Sequence, residues 1–208
     1  MESIHRRNFR EKYVEKIKSR GKLAFENIDI LDPQKLLLNQ TCYSFFQTPE
    51  GLFVLKGGED YSMNDNLAKE IERDHLVKKY QELKDNPNNL DLLMDYSIEL
   101  FGNGYNDLSE LVLGKALMIY ELPKIYHLLA RLHLDSSEQY RLSGKKLYEK
   151  KHALLADIIA ERGLEYVDRD SIGLVEDVIN AALRTGNTEK ENKFYQKINF
   201  NFSTMYSK

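Results

Sequence analysis

Apolar residues recur three and four positions apart through most of the chain after residue 65, which is the spacing that predicts amphipathic helices. Short breaks containing Gly, Pro or Asn separate these periodic stretches. The predicted helices cover about 65–84, 90–101, 108–120, 125–134, 137–162, 171–185 and 188–198. The helix over 108–120 is apolar on almost every side, so we expect it to be buried between neighbouring helices.

Ser136 and Gln139 have the spacing of a capping box, in which two side chains satisfy the free N–H groups at a helix start. This pair places the start of the long helix at residue 137. The last residues, 201–208, are expected to form a loosely ordered tail, as chain ends commonly do.

Residues 1–22 are locally basic, and their apolar residues form a narrow stripe at helical spacing. Gly21 is suited to end this helix, because glycine commonly follows the last helical turn. Such a helix is suited to docking on a membrane, on nucleic acid or on an acidic partner. We favour packing of the stripe on the rest of the domain, because the stripe lacks the bulk for membrane insertion.

The pattern changes between residues 23 and 60. Asp32 and Pro33 predict the start of a short helix over 35–39, with Asp as the cap and Pro at the first helical position. The runs 43–46 and 52–55 are rich in β-prone residues, and a short segment with Pro and Gly separates them. This arrangement favours a β-hairpin.

These elements predict a mainly all-α protein, an array of antiparallel helical hairpins with a small β-hairpin insert near the N-terminus. We expect four segments along the chain. They are a basic N-terminal helix over 1–22, a short helix with the β-hairpin over 23–60, a helical-repeat domain over 61–200 and a tail over 201–208.

Composition narrows the classes of function. A formal net charge of −3 argues against a molecule that is held as a whole to nucleic-acid phosphates. Cys42 is the single cysteine, which excludes an intramolecular disulfide and thiolate-rich zinc sites. No apolar run is long enough for a membrane span, and the first residues lack the apolar core of a secretory signal. We therefore expect a soluble cytoplasmic protein, and an effector exported by a dedicated machine stays open.

The residues that carry chemistry do not form a recognisable catalytic or metal-binding set. His127 and His133 are six positions apart, so they do not share a helix face as metal ligands would, and no HExxH motif occurs. We expect no catalytic residues, no cofactor and no metal. A helical-bundle enzyme with His127, His133 or His152 in a deep pocket is the alternative.

The segment 90–123 has the layout of two helices around a tight turn, and 186–198 has the layout of a similar turn with its second helix. Small residues stand where two helices would approach closely, and large apolar residues stand at packing positions: Ser97, Ser109 and Ala116, and Leu93, Tyr96, Leu100 and Leu113. Together with the turns at 86–89 and Gly104, these residues resemble the tetratricopeptide repeat, a helix–turn–helix unit of about 34 residues.

Three features depart from that family's pattern: Arg131, Glu191 and the long helix 137–162. A generic α-α array is therefore kept as an alternative architecture. The resemblance implies a concave face that holds a partner peptide or helix. Since the helix over 108–120 is too apolar to be a working surface, we expect the first helices of the pairs to line this face. These helices are 90–101, 124–134 and 171–185.

We therefore expect a non-catalytic protein-interaction module, such as an adaptor, chaperone, effector or regulator. The recurring tyrosines fit either an interface or half-buried packing positions. The candidate partner-binding residues are Tyr96, Asn103, Tyr126, His127, Arg131, Asn180 and Arg184. The expected partner is another protein, and a homo-oligomer stays open. The alternative function is a nucleic-acid-associated regulator that uses the basic segment from Arg6 to Lys22.

Overall fold

A computed structural model describes residues 4–33, 41–48, 51–58, 66–166 and 172–205. Its helices are α1 (Ile4–Glu26), α2 (Asn66–Asp85), α3 (Leu90–Gly102), α4 (Asn106–Ile119), α5 (Pro123–Leu142), α6 (Lys146–Leu164), α7 (Ile172–Thr185) and α8 (Thr188–Met205). A single 3₁₀ turn, Ile28–Leu31, follows α1. The prediction of a mainly all-α protein is confirmed. Across the described ranges, no helix has the length and hydrophobicity that crossing a membrane requires.

Two strands interrupt the helices near the front of the chain. Strand β1 (Thr41–Thr48) pairs antiparallel with β2 (Gly51–Gly58), in a register that places Thr41 opposite Gly58 and Phe46 opposite Phe53. The short helix predicted over 35–39 lies outside the described residues.

The chain divides into two compact units. The central unit is Tyr13–Tyr120, and the C-terminal unit combines Met1–Lys12 with Glu121–Lys208. Helix α1 therefore contributes its first residues to the C-terminal unit and the remainder to the central unit.

In the central unit, α3 packs on α2 and forms a helical hairpin with α4. The Asn89 side chain caps α3 by accepting hydrogen bonds from the backbone N–H groups of Asp91 and Leu92. The predicted small residues at the helix contact meet directly, because Ser109 Oγ donates to the Ser97 carbonyl at 2.8 Å. These two helices lie within two residues of their predicted bounds.

Helix α1 continues past Gly21 to Glu26, so the prediction that Gly21 ends the helix is wrong. Gly21 is buried where α1 crosses α4. A Cβ atom on Gly21 would lie 2.2 Å from the backbone nitrogen of Lys115. A Cβ atom on Gly114 would lie 2.4 Å from the carbonyl oxygen of Ile17. The close approach of two backbones, and not the end of a helix, is the physical reason for glycine here.

In the C-terminal unit, α5 forms a hairpin with α6, and α7 forms a hairpin with α8. Helix α6 packs on α7, and α5 also contacts α7. The core between them is built from small and branched apolar residues. Fully buried members are Ile125, Leu129, Ala130, Ala153, Ala156, Ile159, Ala160, Leu174, Val178, Ala181 and Ala182.

The prediction of one helix over 137–162 that starts after Ser136 is wrong, because α5 runs through Ser136 without a break. Ser136 Oγ donates to a carbonyl one turn back in α5, and Ser137 Oγ donates to the Glu149 carbonyl of α6. The break lies at Gly144, whose φ of 70° is in the left-handed region that favours glycine. The segment 137–162, predicted from the sequence as a departure from the repeat pattern, therefore contains a turn between two helices of a hairpin.

Helix α8 extends to Met205, so the prediction that this helix ends near residue 198 is wrong. The sequence has no Gly or Pro between Thr188 and Met205 to stop it. Residues 206–208 lie outside the described residues.

Candidate functional site

A row of polar side chains runs along the contact between α5 and α7 in the C-terminal unit. His127 and Arg131 lie one turn apart on α5. Asp177, Asn180 and Arg184 follow one another at one-turn spacing on α7. The structure therefore brings together four of the residues predicted as partner-binding from the sequence, namely His127, Arg131, Asn180 and Arg184. We call this set, with Asp177, the α5–α7 polar row.

Asp177 is the buried centre of the α5–α7 polar row. Its side chain is fully buried, and its Oδ2 lies 2.6 Å from Nδ1 of His127. Its Oδ1 lies 3.9 Å from Nη1 of Arg131, which is beyond hydrogen-bond distance. Among the residues that the structure describes, nothing makes a hydrogen bond with this buried oxygen. A buried acceptor without a partner is costly, so a donor that reached Oδ1 would stabilise it.

The two side chains beside Asp177 reach solvent. The His127 side chain is 42% exposed, and the Arg131 side chain is 52% exposed. The hydrogen bond with Asp177 raises the pKa of His127 above its usual value. Burial raises the pKa of Asp177, although the hydrogen bond with His127 opposes this shift. The site thus combines a desolvated carboxylate with exposed donors.

A glycine shapes the pocket of the histidine ring. A Cβ atom on Gly173 would lie 3.0 Å from Cε1 of His127, so the bare backbone at this position lets the ring lie against α7. The sequence interpretation missed both Gly173 and Asp177. One signal was available, since Asp177 interrupts the apolar stripe between Leu174 and Val178 of α7. An acid within such a stripe is buried and needs a partner.

Arg184 is fixed at the far end of the α5–α7 polar row. Its Nη1 donates to the Leu134 carbonyl at 3.0 Å and lies 3.2 Å from Glu138 Oε2. Asn180 lies between Arg184 and Asp177 along α7 and is half-buried. The middle of the row, around Arg131 and Asn180, is therefore more accessible to a ligand than its Arg184 end.

The other three predicted partner-binding residues serve the fold. Tyr96 is fully buried in the central unit, and its hydroxyl donates to the Leu31 carbonyl at 2.5 Å. Asn103 ends α3, where its Nδ2 donates to the Glu99 carbonyl. Tyr126 is fully buried in the C-terminal unit and stacks on Tyr166 with ring centres 5.5 Å apart. A tyrosine in an apolar stripe fits a core or an interface equally well, and the sequence pattern does not separate the two.

A second polar cluster lies elsewhere in the C-terminal unit and has a different character. Asp157 and Glu161 are one turn apart on α6 and lie between two cations, Arg6 of α1 and Lys190 of α8. Arg6 Nη2 is 2.6 Å from Asp157 and 2.9 Å from Glu161, while Lys190 pairs with both carboxylates. An open cleft of about 300 Å³ adjoins this α6 acidic pair. Since each carboxylate already has two cations, we interpret the cluster as a tie between helices.

The histidines named in the enzyme alternative are divided between two places. Nδ1 of His133 lies 3.2 Å from Nδ1 of His152, beside Tyr140, whereas His127 pairs with Asp177. Within the described ranges, no three His, Cys, Asp or Glu side chains form a group that could hold a metal ion.

Comparisons of the chain with protein-family models, with curated proteins and with solved structures find no match. A function of the protein therefore has to be inferred from the geometry of these residues.

Proposed function

We propose that this protein is a non-catalytic protein-interaction module that binds a partner peptide along the α5–α7 polar row. One observation carries the proposal: the buried Oδ1 of Asp177 has no hydrogen-bond partner among the described residues, between the exposed side chains of His127 and Arg131. A backbone N–H or a lysine ammonium of a peptide would satisfy this oxygen. Arg131 would then hold a carbonyl or carboxylate of the same peptide.

The order of helix packing supports a repeat-like array in the C-terminal unit. The second helix of one hairpin, α6, packs on the first helix of the next, α7, and the two first helices, α5 and α7, also contact each other. Stacked helical-hairpin repeats pack in this way and use their first helices as a binding surface. Three hairpin turns of the chain each contain a glycine with a φ between 70° and 80°, namely Gly104, Gly144 and Gly186. These features favour the tetratricopeptide-like interpretation of the C-terminal unit.

The pairing of three arginines on α1 favours peptide binding over the nucleic-acid alternative. Arg6 is held by the α6 acidic pair, Arg10 pairs with Glu165, and Arg20 pairs with Glu110 at 2.6 Å. A cation that already neutralises a carboxylate of its own chain contributes little to phosphate binding. Binding to the α5–α7 polar row needs none of these cations.

The experiment is a selection of random displayed peptides on the full-length protein, followed by measurement of affinity for the selected peptides by fluorescence anisotropy. Asp177→Asn and Arg131→Ala should each weaken binding about tenfold or more, because each removes a charged partner at a desolvated contact. Arg7→Ala is the matched control, since Arg7 is 68% exposed on α1 and is not part of the row, so it should leave affinity unchanged.

Circular dichroism before and after heating would establish that the variants remain folded. Enrichment of no peptide would overturn the proposal. Equal affinities of the wild-type protein, Asp177→Asn and Arg131→Ala for the selected peptides would also overturn it.

A further inference from the structure

The turn between α5 and α6 exposes more apolar surface than its position requires. Leu142 and Leu147 stand on either side of Gly144 and are 73% and 79% exposed, the highest values for large apolar side chains in the part of the chain that the structure describes. Tyr148 beside them is half exposed and stacks on Tyr140, with ring centres 5.2 Å apart. We call residues 141–151 the basic tip.

Basic residues surround these leucines. The basic tip contains one acidic residue, Glu149, and the following basic residues: Arg141, Lys145, Lys146, Lys150 and Lys151. Arg141 is paired with Glu138. The four lysines are exposed, and no ion pair within the described residues involves any of them. The basic tip is therefore a local concentration of positive charge in a chain whose net charge is −3.

The other two hairpin turns have the same backbone conformation without this surface. The turn at Gly104 has φ of 80° and carries no strongly exposed large apolar side chain among the described residues. The turn at Gly186 has φ of 74°, and Leu183 beside it is 48% exposed, with Glu189 and Glu191 just beyond the turn. The apolar and basic character of the basic tip is thus not a requirement of the turn.

We propose that the basic tip docks this protein on an anionic lipid membrane. Leu142 and Leu147 enter the boundary between headgroups and acyl chains, and the lysines contact the negative headgroups while their alkyl stems lie along the apolar surface. Tyr148 has the apolar body and polar end that suit the membrane–water interface. Clusters of four or more lysines and arginines on an amphipathic element are typical of binding to acidic lipids.

The arrangement favours a membrane over an acidic protein. The apolar residues lie at the end of a two-helix hairpin, and a bilayer accepts such an end without a matching pocket. Docking on a protein would instead require a groove of complementary shape. The proposal does not depend on peptide binding at the α5–α7 polar row, which lies on other residues.

The test uses tryptophan as a reporter, because the chain has no Trp of its own. Leu147→Trp is mixed with phosphatidylcholine vesicles or with vesicles that also contain phosphatidylserine. We expect a blue shift of its emission, and quenching by lipids brominated on the acyl chains, with the phosphatidylserine vesicles. Leu183→Trp, at the turn between α7 and α8, is the matched control and should show neither change.

Sedimentation with the same vesicles measures binding of the unlabelled protein. Lys145→Glu/Lys146→Glu and Leu142→Ser/Leu147→Ser should each reduce the bound fraction about tenfold or more, and added salt should reduce binding of the wild type. These positions are exposed, so the variants should melt at the wild-type temperature. The proposal is overturned if the wild type does not sediment with phosphatidylserine vesicles, or if both variants sediment as it does. Retention on an immobilised acidic polypeptide without vesicle binding would also overturn it and would favour an acidic protein partner.

Discussion

Asp157 and Asp177 are two buried carboxylates of the C-terminal unit that are partnered in opposite ways. The side chain of Asp157 is 4% exposed and lies between Arg6 and Lys190, with Glu161 sharing both cations. The side chain of Asp177 is fully buried, yet it has one hydrogen-bonded partner, His127, on one oxygen. The first carboxylate is neutralised by close cations from two other helices, whereas the second has a half-exposed ring and the more distant guanidinium of Arg131.

The difference is the reason to assign Asp157 a structural role and to propose that Asp177 belongs to a binding site. Each cation at Asp157 comes from a different helix, so the cluster holds α1 and α8 against α6. At Asp177 the donors that could complete the carboxylate stand at the solvent boundary, and one oxygen is left for a ligand. A buried charge with complete partners contributes to folding alone, whereas one with incomplete partners can contribute to recognition.

The largest effect is expected from Asp157→Ala. The substitution leaves Arg6 and Lys190 with Glu161 as their shared partner, so one positive charge in a partly buried cluster loses its counterion. Breaking a buried ion pair costs about 3–5 kcal/mol, and because Arg6 is partly exposed we expect a loss of about 2–3 kcal/mol. Urea unfolding at neutral pH measures the free energy of unfolding.

Asp177→Asn is the comparison for that variant. It keeps the shape of the side chain and removes a desolvated charge, so we expect its cost to be clearly smaller than that of Asp157→Ala. A larger loss for Asp177→Asn than for Asp157→Ala would contradict the division into a structural and a binding carboxylate.

Sequence patterns predicted the helices best where local signals were sufficient. Helix α3 follows from its apolar spacing and from the turn at 86–89 before it, and both signals are local. Ser136 misled the prediction because a serine hydroxyl also bonds to the carbonyl one turn back inside a helix. Gly21 misled it because a close helix crossing and a helix end both require glycine.

The candidate site was predictable in part. His127 and Arg131 could be predicted for the proposed binding face because they lie on a first helix of a hairpin. Their partner Asp177 stands 50 positions along the chain from His127, and no periodicity in one helix predicts which residue of another helix it meets. Tyr126 is fully buried, which the sequence pattern does not reveal because it does not separate a core tyrosine from an interface tyrosine.

The stability contributions of His127, beside Asp177, and of Glu161, beside Asp157, should be lost at opposite ends of the pH scale. The pKa of His127 is raised from 6.5, so its contribution to stability is complete below pH 6.5 and is lost as the pH rises through the folded pKa. Burial opposes ionisation of Glu161, but Lys190 and Arg6 hold its pKa below 4.5. The contribution of Glu161 is therefore complete above pH 4.5 and is lost as the pH falls through the folded pKa.

Unfolding free energies measured from acid to mildly alkaline pH separate these contributions. His127→Gln should flatten the decline above pH 6.5, and Glu161→Gln should flatten the decline below pH 4.5. Asp177 has the opposite effect to Glu161 in acid. Burial raises the pKa of Asp177 from 3.8, so the contribution of Asp177 to stability falls as the pH rises. An NMR titration should give His127 a pKa above 6.5 that falls in Asp177→Asn, and an unchanged value would refute the coupling.

The smallest effect on stability, and the sharpest test of the Asp177 site, is expected from Gly173→Ala. The new methyl group would lie 3.0 Å from Cε1 of His127, so the half-exposed ring must move by a few tenths of an ångström. Replacing glycine stabilises a helix interior by about 0.5–1 kcal/mol, and the smaller gain expected at the second residue of α7 partly offsets the weakened contact between His127 and Asp177. We expect a net change within about 0.5 kcal/mol, together with a fall in the pKa of His127 towards 6.5. Gly163→Ala is the comparison for stability: its methyl group would lie 2.6 Å from Cβ of buried Tyr126, and it should cost about 1–3 kcal/mol. If Gly173→Ala left the pKa of His127 unchanged, the space left by glycine would not be what positions the ring on α7. The pairing of His127 with Asp177 would then have to be set by α5 alone.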